Sequence, residues 1–171
     1  RFQIQSLEIV KEVIYIDKIF KDKGLNPIYL KGVALMNEYE NFSLRPAADI
    51  DILFQGEESF DAYKILHENG YKESTTMNRS KGKLLEYVKK NKHHHLPEVC
   101  RDSNIMIELH HRVTRYHDFD YCPLSERMIK NKRLINFYGT NISIPSIEDL
   151  VVHQLIHFVL NSNFNHLLRI F

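Results

Sequence analysis

Arg45-Pro46-Ala47-Ala48-Asp49-Ile50-Asp51-Ile52-Leu53-Phe54 is the stretch on which the fold turns. Side chains alternate sides along a β-strand, so Asp49 and Asp51 project from one face while Ile50, Ile52 and Phe54 point into a core. Two carboxylates are thereby aimed at one point. A hard divalent cation, usually Mg²⁺, prefers oxygen ligands and keeps positions open for water and substrate phosphates. The pair therefore points to nucleotide chemistry.

A two-metal phosphoryl-transfer site needs a further carboxylate, and Glu108 is the candidate. In Ile105-Met106-Ile107-Glu108-Leu109-His110 the alternation sends Ile105, Ile107 and Leu109 to one face and Met106, Glu108 and His110 to the other. Upstream, Pro27-Ile28-Tyr29-Leu30 reads as a strand running through Lys31-Gly32 straight into a helix with Val33, Leu35, Met36 and Tyr39. Glycine lets backbone approach a phosphate, a helix N-terminus offers free N–H groups, and the lysine adds a point charge. A Gly between strand and helix is more often a plain turn than a phosphate site. Arg45 either reaches a phosphate as a forked donor or pairs with the carboxylates.

Outward from these motifs, residues 3–22 read as an amphipathic helix with Ile4, Leu7, Val10, Val13 and Ile14 on one stripe. A helix over 57–68 ends at Asn69-Gly70, and 71–74 is a further strand. Residues 75–83 form a polar loop before a helix that ends near Asn91. Residues 93–99 and 104–110 make a hairpin about Arg101-Asp102-Ser103, and 125–131 a helix. The run 134–144, centred on Gly139-Thr140, is a second hairpin. Ser146-Ile147-Glu148-Asp149 starts a helix through Leu150, Val151, Leu155, Phe158 and Val159. The class is α+β, with a more helical C-terminal part.

The 171 residues, 43% of them hydrophobic, are enough for one domain with a real core. Lys and Arg number 23 against 22 Asp and Glu, so charge gives no argument for a nucleic-acid coat or a membrane surface. Cys100 and Cys122 lack a CxxC spacing and follow no secretory signal, which favours a reduced, cytoplasmic setting. No apolar run approaches the ~20 residues of a membrane span. The chain opens on Arg1 and stops at Phe171 inside an apolar run, as a trimmed fragment does.

Leu30-Lys31-Gly32-Val33-Ala34-Leu35, the stretch from Leu44 to Leu53 around Asp49-Ile50-Asp51, and Ile107-Glu108-Leu109-His110-His111 together resemble an uncharacterised bacterial nucleotidyltransferase family of the DNA polymerase beta-like superfamily. The resemblance covers about residues 25–160. It implies a mixed sheet flanked by helices, with a catalytic domain over 1–145 and the start of a helical region over 146–171. It further implies that Asp49 and Asp51 bind Mg²⁺, or Mn²⁺ in its place, that Glu108 completes the acidic triad, and that Lys31-Gly32 stands where most of the superfamily has Gly-Ser. The implied reaction is attack of an acceptor hydroxyl on the α-phosphorus of an NTP, ATP by preference, with pyrophosphate leaving. The acceptor is open between a small molecule, an RNA and a protein. A catalytically silent binding module of the same fold is the alternative.

The ten histidines invite a zinc reading, with His93, His94 and His95 beside His110 and His111, but no Cys or carboxylate spacing completes a tetrahedral set. His95 and His110, near the acidic strand, are better read as contacts to phosphate or acceptor. His153 and His157 share a helix face, yet Gln154 occupies the place where a metalloprotease helix needs its Glu. They read as buried or partly buried helix histidines. The run Lys81, Lys83, Lys89, Lys90 and Lys92 reads as a solvated face.

Overall fold

Helices and strands follow one another as α1 (Phe2–Asp22), β1 (Ile28–Tyr29), α2 (Lys31–Met36), β2 (Asp49–Leu53), α3 (Glu58–Glu68), β3 (Lys72–Glu73), β4 (Val99–Cys100), β5 (Met106–His110), α4 (Leu124–Lys130), β6 (Arg133–Phe137), β7 (Thr140–Ile144) and α5 (Ile147–Asn161). The structure is a computed structural model and describes residues 2–39, 47–74, 93–102, 105–114 and 123–161. Arg45, the polar loop over 75–83, the helix expected to end near Asn91 and the lysine run lie outside these residues.

The described strands form one mixed sheet in the order β3-β4-β5-β2-β1-β7-β6, which puts β2 at its centre. β2 runs parallel to β5 and antiparallel to β1, while β1 runs parallel to β7. Alternation along β2 divides two cores. Ile50, Ile52 and Phe54 enter the larger one under α1 and α3, with Phe20 edge-on to Phe54 at 5.2 Å. Leu53 joins Ile28, Leu30, Val113, Leu124 and Met128 in a smaller core on the opposite face, against which Ile156 of α5 also packs. The sheet is thus flanked by helices on both faces. Among the described residues, no helix is long and apolar enough to cross a membrane.

The face that α1 buries differs from the expected one. Ile9, Val10, Val13, Ile16 and Phe20 are buried, whereas Ile4 is 65% and Leu7 49% exposed. Ser6 and Asp17 share the buried arc, Asp17 in a 2.7 Å ion pair with Lys21, so counting only apolar residues rotates the stripe. Glu12 fastens the same helix to the sheet by pairing with the Tyr71 hydroxyl and, at 3.6 Å, with Arg101. The first expected hairpin is shorter than its sequence pattern, because Pro97 lacks the N–H that a ladder needs. What forms is β4 with a single bridge between His95 and His110.

The second hairpin forms, with its turn one residue before the expected Gly139-Thr140 centre. The β6–β7 register closes Phe137 on Thr140, leaving a two-residue turn in which Tyr138 and Gly139 both have positive φ, 49° and 89°. That is the backbone a tight hairpin requires. Ser146 caps α5 by accepting the Asp149 N–H at 3.2 Å. Arg127 Nε donates to the fully buried Asp149 carboxylate at 2.5 Å, locking α5 to α4.

Candidate active site

The register of three strands assembles the acidic site. Asp51 on β2 lies directly beside Glu108 on β5, and Leu53 beside His110, so Asp51, Glu108 and His110 share one face. On the other side of β2, Leu30 donates its N–H to the Asp51 carbonyl at 2.9 Å, which delivers the next residue, Lys31, to the same carboxylate. Lys31 Nζ donates to Asp51 Oδ1 at 2.6 Å, and His110 Nε2 donates to that oxygen at 2.9 Å while standing 3.3 Å from Glu108 Oε2. Asp51 is buried, and among the described residues its second oxygen, Oδ2, has no hydrogen-bond partner.

The charges are strongly coupled. Burial alone would raise the pKa of Asp51, yet Lys31 and His110 outweigh it and hold the carboxyl well below its ordinary range. Burial likewise disfavours charge on Lys31 and on His110, but the carboxylates around them raise both pKa values. Asp49 is different. Burial first, then repulsion from Asp51 and Glu108, pushes it up to about 6, with Lys31 only partly opposing. Glu98 lies in the same negative field, its pKa raised by burial, Glu108 and Asp51.

Two backbone features fix Lys31 in place. Its φ is +38°, a conformation that non-glycine residues seldom adopt. The following Gly32 packs so tightly that an added Cβ would lie 2.7 Å from the Ala47 Cβ. Close helix-to-strand packing therefore accounts for Gly32. Helix α2 spans only six residues, so it is a short platform behind Lys31.

The histidines divide by role. His95 bridges His110 through backbone, its ring 5.4 Å from that of His110, and its Nδ1–H donates to the Leu96 carbonyl at 2.7 Å. His94 stands 5.2 Å from His110, ring to ring. Among the described residues, the cluster of ligand atoms able to hold a metal, all within 4.8 Å of one another, is Asp51, Glu108 and His110. Asp49 faces the same side but stands outside that cluster. Two carboxylates, an imidazole and an Asp51 Oδ2 that is buried and, among the described residues, unpartnered fit a divalent cation.

His153 on α5 is 1% exposed, as expected of a helix histidine, but its surroundings were not foreseen. Burial, then Lys31 and His110, push its pKa down to about 3, which places a neutral imidazole within the field of the acidic site. Its place four residues after the anchored Asp149 is the only sequence signal of this.

A family model described as uncharacterised nucleotidyltransferase matches residues 1–170. The chain belongs to this family. The nucleotidyltransferase also resembles solved structures of the same kind. It superposes on TM1012 of Thermotoga maritima, described as a nucleotidyltransferase, with a TM-score of 0.60 and 18% identity over 92% of this chain and 89% of that one. The lincosamide antibiotic adenylyltransferase LnuA, solved with lincomycin, gives a TM-score of 0.53 and 16% identity over 91% and 87% of the two chains. No curated protein sequence matches the nucleotidyltransferase significantly. At these identities the structural likeness concerns the fold.

Proposed function

We propose that the chain transfers a nucleoside monophosphate from an NTP, ATP by preference, to a hydroxyl of an acceptor, with a divalent ion, Mg²⁺ or Mn²⁺, held by Asp51 and Glu108 with Asp49 alongside. The observation that carries this reading is the adjacent register of Asp51 and Glu108, with Asp51 Oδ2 buried and, among the described residues, without a hydrogen-bond partner. The adenylyl transfer named for LnuA supports ATP as donor. A cytoplasmic setting fits the two cysteines without CxxC spacing.

In this reaction the acceptor oxygen forms a bond to the α-phosphorus as the bond to the β-phosphate oxygen breaks, and pyrophosphate leaves. A bound divalent ion supplies positive charge to the reacting phosphoryl oxygens. Glu108, less buried than Asp51, with 17% of its side chain exposed, receives the proton of the acceptor hydroxyl. Lys31 supplies a fixed positive charge, His110 holds Asp51 in orientation, and His95 backs His110. Arg45 and the Lys31-Gly32 turn contribute contacts to the phosphates.

Isothermal titration with α,β-methylene-ATP and Mg²⁺ tests the reading. Binding that needs Mg²⁺ and disappears in Asp51→Asn is expected; absence of binding to wild type overturns it. A chain that binds nucleotide yet transfers no label from α-labelled ATP to any acceptor is instead a silent binding module.

A further inference from the structure

The sequence leads to an expectation of two metal ions, but Asp51 offers them only one oxygen. In a two-ion site the ions sit ~3.5–4 Å apart and a shared carboxylate gives one oxygen to each. Here Oδ1 already accepts from Lys31 at 2.6 Å and from His110 at 2.9 Å. An Mg²⁺ ion approaches its oxygen ligands to about 2.0–2.1 Å. At Oδ1 it would meet an ammonium group already in contact, which has no lone pair to offer, whereas the imidazole beside it can give up its Nε2 proton and turn a lone pair to a metal.

Displacing Lys31 is opposed by the fold. Its side chain is 18% exposed, its backbone is held at φ +38°, and Gly32 is wedged against Ala47. Among the described residues, Oδ2 remains without a partner. One oxygen of Asp51 is thus given to a lysine and the other is left for a metal.

We infer that Lys31 takes the place of one of the two ions, so that the nucleotide-bound chain holds a single divalent ion, on Asp51 Oδ2 and Glu108. The inference rests on the nucleotidyl-transfer reading and concerns how its positive charge is divided: part is built into the chain and part is recruited. An ammonium cannot coordinate, but it neutralises charge on a phosphoryl group without depending on metal concentration.

Native mass spectrometry of the full chain, stripped with chelator and then given Mn²⁺ and α,β-methylene-ATP, counts the ions directly. One Mn²⁺ per nucleotide-bound chain is expected for wild type, and two for Lys31→Asn, since asparagine tolerates positive φ and its shorter side chain releases Oδ1. Two Mn²⁺ ions in wild type, or one in folded Lys31→Asn, overturn the inference and leave the nucleotidyl-transfer reading standing. Absence of any species carrying both Mn²⁺ and nucleotide overturns both. The wild-type count decides even where Lys31→Asn fails to fold.

Discussion

Replacing Asp49 with Asn is expected to stabilise the metal-free protein at neutral pH. Burial, then the nearby Asp51 and Glu108 carboxylates, raise the Asp49 pKa from 3.8 to about 6. Because the folded value lies above the unfolded one, ionisation works against folding. Below about pH 4 the group is mostly protonated in both states and costs little; stability falls from there through pH 6, and the deficit is full above that. At about 1.4 kcal/mol per tenfold change in proton affinity, the deficit at pH 7 is about 3 kcal/mol, shrinking to about 0.5 kcal/mol at pH 4. For a chain of 171 residues this corresponds to roughly 6–12 °C in Tm. Urea unfolding in EDTA across pH 4 to 7 measures the gap between Asp49→Asn and wild type. A variant no more stable than wild type at pH 7, or a gap that does not narrow toward pH 4, refutes the reasoning. Asp51→Asn has the opposite sign, because it leaves Lys31 and His110 without their carboxylate, a loss of roughly 3–5 kcal/mol. Two carboxylates of one motif therefore diverge in their effect on stability.

His111 and His153 have pKa values pushed down to about 4 and about 3, chiefly by burial, so they fold neutral and take up protons only on unfolding. Stability is accordingly lost as pH falls below about 6.5, by up to about 1.4 kcal/mol per unit for each histidine; His153→Gln should flatten the measured slope by about one proton. Gly32→Ala forces a Cβ against Ala47 and costs about 1–3 kcal/mol in chemical denaturation; an unchanged midpoint would show that α2 is free to shift. Arg127→Ala strips the fully buried Asp149 of its partner, and a loss of about 3 kcal/mol in urea is expected.

Most of what positions the site was legible in local pattern. The alternation around Asp49-Ile50-Asp51 and around Glu108 gave both strands and their acidic faces, and Ser146 acted as its cap chemistry dictates, while the second hairpin turned one residue before its expected centre. What was not legible depends on contacts distant in sequence. The buried arc of α1 contains Asp17 and Ser6, whose burial follows from packing. The grip of Lys31 on Asp51 depends on β1 lying antiparallel to β2, and the approach of His153 depends on α5 folding back over the sheet. Neither pairing leaves a periodic trace. Pro97 was visible, yet its effect on the first hairpin was underweighted in a stretch rich in strand formers.

Strand β2 carries the larger core on one face and the carboxylates on the other, with Ile50 and Ile52 fully buried behind Asp49 and Asp51. A slip of one residue would turn the isoleucines toward the nucleotide and drive two carboxylates into apolar packing. Misfolding and inactivation are therefore the same event in this segment. An insertion or deletion between positions 49 and 54 therefore disturbs the packing and the acidic face together, whereas a substitution at Asp49 or Asp51 leaves the register intact.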